Sequence, residues 1–220
     1  MPRPSVDSYP LYDYWPFTHM QAWNASKYRS LLVEFIKMDG KPYNSSTKTE
    51  FMHNLKESKF YEPSKELTEE ELSEKWGKYV SLIYYLGIGR TDRKKFELSE
   101  VTKHYFIGQD NIIGFLREQM LKFQYPHGSL RPSEISLLNS HNKKILPFVF
   151  ILQILKGLSE RGLKDAYISK GELLTIVQKA NNNNEVDRVI SSILENRKQN
   201  KKYDLNTLPS RVIFSIMDLI

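Results

Sequence analysis

The most strongly patterned stretch of the chain runs from Ile145 to Leu158, Ile-Leu-Pro-Phe-Val-Phe-Ile-Leu-Gln-Ile-Leu-Lys-Gly-Leu. Its apolar residues occupy the whole circumference of a helix, not a stripe, which predicts a core helix buried on most sides. Pro147 stands where a helix start tolerates proline, and Gly157 where a helix end favours glycine. That punctuation prefers a helix to the buried strand that Phe148, Val149, Phe150 and Ile151 alone would allow. The run is well short of the roughly 20 apolar residues that a membrane span needs.

Helical periodicity recurs on both sides of this element. Tyr28, Leu31, Leu32, Phe35 and Ile36 mark a helix from Trp23 to Met38, capped by Asn24 or Ser26 and ended by Asp39-Gly40. Thr47-Lys48-Thr49-Glu50 matches a capping box ahead of Phe51, Met52 and Leu55, and Thr68-Glu69-Glu70-Glu71 matches a second ahead of Leu72, Trp76, Tyr79, Val80, Ile83 and Tyr84. Leu86-Gly87-Ile88-Gly89 and Phe96-Glu97-Leu98-Ser99 then read as two short strands around a basic turn. Residues 111–124 are amphipathic and stop before Tyr125-Pro126, since the residue before proline disfavours the helical region. A polar connection over 127–144 has room for a short helix around Ser133 to Leu138. Ser169-Lys170-Gly171-Glu172 is a third capping box, with Ile168 placed to meet Leu173 or Leu174. The Asn181–Asn184 run leads into a last amphipathic helix, Glu185 to Lys198. Residues 196–204 read as a polar, basic loop, and Pro209 to Ile220 as a further helix that is apolar to its end.

Three helices followed by a hairpin is the layout of a winged helix, and the core helix, the Ser169 helix and the 185–198 helix form a second such trio without an evident wing. The predicted fold is therefore mainly α with small β wings. An aromatic, proline-rich arm (1–22) precedes winged-helix-like subdomain 1 (23–110), a linker helix and connection (111–144) and winged-helix-like subdomain 2 (145–200). Residues 201–220 would begin a further, truncated segment.

Composition narrows the class. The chain has 220 residues, 40% hydrophobic and 26% charged, which suits an ordinary soluble protein. It has no cysteine, so disulfides and cysteine-bound zinc are excluded. The N-terminus has no apolar core of the kind that marks a signal peptide, and a cytoplasmic protein is expected. The net charge is +6. Lys and Arg balance Asp and Glu at 16 each over residues 1–110 but stand at 16 against 10 over 111–220. Such an excess points to a polyanion. In a winged helix the third helix and the hairpin commonly face DNA, which makes Lys75, Lys78, Arg90, Arg93, Lys94 and Lys95 candidates, with Asn182, Asn183 and Arg188 in the second trio. Each has a plain structural alternative: basic turns are solvated wherever they occur, and asparagines favour turns and caps.

Catalytic chemistry finds no foothold. His19, His53, His104, His127 and His141 show no metal-ligand spacing. Gly87-Ile88-Gly89 is half of a phosphate loop at best, with neither a third glycine nor a following helix. Glu57-Ser58-Lys59, with Asp39 upstream, and Asp92-Arg93-Lys94 fit the tail of a metal-dependent nuclease motif, yet neither follows a buried apolar strand.

The second half resembles a known family. Four blocks carry the likeness: Phe115 to Pro126, Ile145 to Leu152, Tyr167 to Leu173, and Asn182 to Asp187 with Ile193 to Arg197. In order and spacing they are similar to the AlwI-like type IIS restriction and nicking endonucleases. Upstream the likeness is looser, resting on Trp15-Pro16-Phe17-Thr18, Lys27 and the hairpin between Tyr84 and Phe106. The resemblance implies a sequence-specific, double-stranded DNA recognition half without the cleavage domain. It also implies a magnesium-dependent nuclease domain elsewhere, and that domain or a second subunit as a further partner; no membrane partner is expected. A winged-helix transcriptional regulator is the alternative, as is a helical protein-interaction domain using the apolar face of 212–220.

Overall fold

The computed structural model describes residues 25–58, 66–91, 94–106, 112–127, 130 and 132–203. The aromatic arm, Arg93 and the helix expected over 209–220 lie outside the described residues. Among the described residues the protein is mainly helical, with one two-stranded antiparallel sheet. The chain forms two compact units that divide between Met120 and Leu121.

The first unit contains α1 (Ala25–Ile36), α2 (Ser45–Glu57), α3 (Glu69–Tyr85), β1 (Gly89–Thr91), β2 (Phe96–Leu98) and α4 (Glu100–Phe106), and most of α5 (Ile112–Lys122). Helix α2 begins earlier than the Thr47 box predicts. Asn44 is its cap, accepting the Thr47 N–H at 2.9 Å, and Thr47 is buried inside the helix. An asparagine in extended backbone is as good a cap as threonine, and it comes first in the chain. The box at α3 forms as expected, with Glu71 N–H donating to Thr68 Oγ1 at 3.2 Å and Thr68 N–H to Glu71 Oε2 at 3.0 Å. The first strand starts at Gly89 and not at Leu86, because Gly87 takes a left-handed φ of 66° just after α3.

β1 and β2 pair with Gly89 opposite Leu98, Arg90 opposite Glu97 and Thr91 opposite Phe96. The segment after α1 adds a third edge: Pro42 bridges to Lys95, Tyr43 N–H donates to Lys94 O at 2.7 Å, and Phe96 N–H donates to Lys41 O at 2.9 Å. The inner face of β2 closes an aromatic core. Phe96 lies 4.8 Å from Trp76 of α3 and 5.0 Å from Tyr43, and Trp76 lies 4.6 Å from Phe51 of α2. Gly89 is required at its place, since a Cβ there would run into the Phe35 ring. Helix α4 was not expected. It starts at Ser99, whose Oγ accepts the Thr102 N–H at 3.3 Å, while the buried Thr102 hydroxyl donates to Ile88 O at 2.8 Å.

The second unit holds α6 (Pro132–Ser140), α7 (Pro147–Glu160), α8 (Lys170–Thr175) and α9 (Val186–Lys198). The expectation that α7 is buried on most sides is not met. It buries one stripe, Pro147, Phe150, Ile154 and Leu158, while Leu152 is 55% exposed. Burying each of the larger side chains of that stripe contributes roughly 1.5–3 kcal/mol, enough to hold the helix by one face. Gly157 admits Ile190 of α9, because a Cβ at 157 would meet the Ile190 side chain.

Helix α8 begins with the predicted capping box. Ser169 Oγ accepts the Glu172 N–H at 3.2 Å, and the Glu172 carboxylate accepts the Ser169 N–H at 2.8 Å. Glu172 is 2% exposed and meets the Arg197 guanidinium as a fork, 2.6 Å from Nε and 2.8 Å from Nη2. Burial alone would raise the Glu172 carboxyl, but the Arg197 and Ser169 hydrogen bonds outweigh it and leave the group below the ordinary carboxylate range.

His127 follows the Tyr125-Pro126 bond and is buried beside Phe123 and Tyr125. Burial lowers its pKa from 6.5 to about 4, against a weak opposing pull from Glu134. A group that protonates more readily when unfolded costs stability as pH falls between those two values. The thermal unfolding temperature of the parent chain should therefore fall from pH 6.5 to pH 4 more than that of His127→Gln. Parallel curves for the two proteins would contradict this assignment.

Candidate nucleic-acid interface

The hairpin presents its cations in an ordered way. Because side chains alternate across a strand, Phe96 and Leu98 face the core while Lys95 and Glu97 face out beside Arg90. Arg90 lies 3.0 Å and Lys95 2.7 Å from the Glu97 carboxylate. Those hydrogen bonds, Lys95 foremost, hold the Glu97 carboxyl below its ordinary value. Arg90 keeps 80% of its side chain exposed. The cluster is a pair of cations steadied by one carboxylate, with net positive charge turned to solvent. Lys94 is exposed and its carbonyl accepts the Tyr43 N–H. Lys75 is half-buried on α3, and Lys78 follows three residues later on the same helix.

In the second unit the asparagine candidates are held by backbone. Asn182 Oδ1 accepts the Asn184 N–H at 3.0 Å, and Asn183 Oδ1 accepts the Leu146 N–H at 2.8 Å just ahead of α7. Asn181 accepts from Lys143 Nζ at 3.0 Å, and Lys143 is fully buried. This run therefore ties the start of α9 to the strand-like residues before α7, where Lys144 bridges to Asn182. Arg188 donates from Nε to Glu185 at 2.9 Å and stays exposed. The structure thus groups Arg90, Lys94 and Lys95 at one hairpin and places Arg188 on the first turn of α9.

Other sequence candidates resolve into structural roles. Asp39, the upstream member of one nuclease-like pattern, accepts the Leu98 N–H at 2.8 Å. Gly87 and Gly89 end α3 and admit Phe35. His53 pairs with Glu69 at 3.1 Å, and His141 Nδ1 lies 2.9 Å from Leu137 O. Among the described residues no three His, Cys, Asp or Glu side chains gather into a set that could hold a metal. No described helix is long and apolar enough to cross a membrane.

The sequence model of the family described as restriction endonuclease BpuJI, N terminal, matches residues 35–220. The chain belongs to this family. A similar solved structure is the crystal structure of pyrene- and phenanthrene-modified DNA in complex with the BpuJ1 endonuclease binding domain. It aligns with a TM-score of 0.62 and 17% identity, over 96% of this chain and 76% of that one. No curated protein sequence matches the chain. The likeness to restriction endonucleases is thus established at the level of the BpuJI N-terminal family.

What sequence reading missed is a basic cleft of the second unit, to which Arg188 contributes beside Lys179, Lys201 and Lys202. The Lys201-Lys202 pair was visible as charge, but its return toward α8 was not. The structural role of Asn183 has a direct check. Asn183→Ala leaves the buried-side N–H of Leu146 without its acceptor, which costs about 1–3 kcal/mol. Chemical denaturation should show a loss of that order, and an unchanged midpoint would mean the hydrogen bond contributes nothing.

Proposed function

We propose that this chain is the double-stranded DNA-recognition domain of a restriction endonuclease. The observation that carries the reading is the family match over residues 35–220. The exposed cations of the hairpin fit it, since Lys and Arg neutralise phosphates and release condensed counterions. Arg, Lys, Asn and Gln can also read base edges in the major groove. Arg90, Arg93, Lys94 and Lys95, with Lys75 and Lys78 ahead of them, are the proposed contacts of the first unit. Arg188 is the proposed contact of the second, with Asn182 and Asn183 positioning the backbone around it.

At finer grain we read the first unit as a winged helix. Its order supports this: α1, the paired residues 41–43, α2, α3, then β1 and β2, with the 41–43 segment pairing against β2. The trio α7, α8, α9 fits a second, wingless unit. The four sequence blocks favour a type IIS enzyme of the AlwI-like kind. Cleavage and its magnesium we assign to a separate nuclease domain, as the resemblance carried by the four sequence blocks implies. That domain is also the proposed protein partner.

The test is selection of duplexes from a random pool by the purified chain, followed by incubation of the selected duplex with magnesium. Enrichment of one short asymmetric sequence, bound but left uncut, is the expected result. No enrichment at moderate salt would sink the recognition role, and cutting would overturn the assignment of cleavage to another domain. A protein-docking module would instead bind its partner with little dependence on salt.

A further inference from the structure

We propose that the basic cleft of the second unit seats a phosphodiester of the DNA backbone and supplies affinity that is blind to sequence. This rests on the DNA-recognition reading above and assigns it a second contact site. The cleft has a volume of about 490 Å³ and is lined by Thr175, Ile176 and Lys179 and by Lys201, Lys202 and Tyr203. Its floor is one face of α9, where Arg188, Ser192, Glu195 and Asn196 follow each other at helical spacing.

The lining decides the ligand class. A space of this size could take a small organic molecule, but such sites are walled mostly by apolar and aromatic side chains. Here only Ile176 and Tyr203 are apolar or aromatic residues, and four cations line the cleft with a single carboxylate, Glu195, while Glu185, outside the lining, pairs with Arg188. All four of those cations, Lys179, Arg188, Lys201 and Lys202, are exposed. An anion that is extended and highly charged fits best. Within this family's setting that anion is a duplex backbone.

The cleft is built, not merely a scatter of surface lysines. Helix α9 ends in a Schellman turn: Asn200 adopts a left-handed φ of 50° and donates to Arg197 O at 3.1 Å, and Lys201 N–H donates to Asn196 O at 3.0 Å. That turn sends the chain back toward α8. There the Tyr203 ring lies on Gly171, whose missing side chain makes the space: a Cβ at 171 would stand 2.5 Å from the ring. The Glu172–Arg197 fork, set between Gly171 and Asn200 in the same frame, fixes α8 against the end of α9. Lys201 and Lys202 are thereby held over the α9 face that carries Arg188, in a geometry set by hydrogen bonds and packing.

The experiment compares the whole chain with the double variant Lys201→Ala/Lys202→Ala, and independently with Lys179→Gln, after confirming unchanged unfolding midpoints. Binding is measured to the selected duplex and to a scrambled duplex across a salt series. In the double variant, affinity should fall about tenfold for both duplexes alike, and the slope of log affinity against log salt should become shallower by about 2. Lys179→Gln should lower both affinities alike, with a slope change of about 1. Unchanged affinity and slope in both variants would overturn the proposal. So would a loss confined to the selected duplex, because that would make these residues readers of bases. An arm with inorganic phosphate alone separates a free-anion site from a backbone site: saturable binding of phosphate at millimolar concentration, with duplex affinity unchanged in the variants, also overturns it. Absence of any salt-dependent duplex binding by the parent chain would instead mark failure of the recognition reading itself.

Discussion

The second unit depends on one part-buried ion pair. The Glu172 carboxylate accepts three hydrogen bonds at once: it closes the cap of α8 through Ser169, accepts both arms of the Arg197 fork, and so joins the start of α8 to the last turn of α9. Arg197 in turn donates to Tyr167 O at 2.6 Å and stacks its guanidinium 4.3 Å from the Tyr167 ring centre. Burying two charges is costly, and such a pair often contributes little net stability. What it contributes is geometry. With both oxygens of the carboxylate engaged, α8 and α9 are held in one relative placement. Everything mounted on them inherits that placement, including the Schellman turn at Asn200 and the ring of Tyr203 on Gly171.

The first unit reaches the same end by packing. Phe51, Trp76, Phe96 and Tyr43 bring α2, α3, β2 and the segment after α1 onto one aromatic cluster, and Phe35 joins it where Gly89 leaves room. A hairpin of two three-residue strands could not stand alone in water. Seated on that cluster, it can hold Arg90, Lys95 and Glu97 in a fixed array on its outer face. In both units, then, side chains that never reach a ligand set the positions of the cations that could. This division explains why the apolar and capping residues of the chain are so ordered while its candidate contacts are ordinary lysines and arginines.

Local signals were legible in the sequence and long-range ones were not. The capping boxes at Thr68 and Ser169, the strands of the hairpin, the amphipathic helices and the last helix all follow from spacing within a few residues. The α7 stripe shows the limit: its composition is apolar all round, but how much of a helix is buried is decided by its neighbours, and in α7 one stripe is buried while Phe148, Val149 and Ile151 are half-buried and Leu152 is exposed. Helix α4 escaped because it is short and begins on a serine–threonine cap with little apolar period to announce it. The pairing of Pro42 with Lys95 escaped because a two-residue strand has no pattern of its own. For the candidate sites, charge revealed which segments were basic. It could not separate Asn183, whose oxygen caps Leu146, from a reader of bases, nor bring Lys201 and Lys202 into one cleft with Arg188.

The central claim is the proposal that two separately built cationic surfaces, the hairpin of the first unit and the α8–α9 cleft of the second, each contact duplex DNA. Amide hydrogen exchange of the whole chain, with and without a saturating bound duplex, tests it most directly. The account predicts added protection in two separate places, over 89–98 and over 176–203, with the aromatic core around Trp76 unchanged. Protection at neither place, or only along the exposed apolar side of α7 around Leu152, would contradict it.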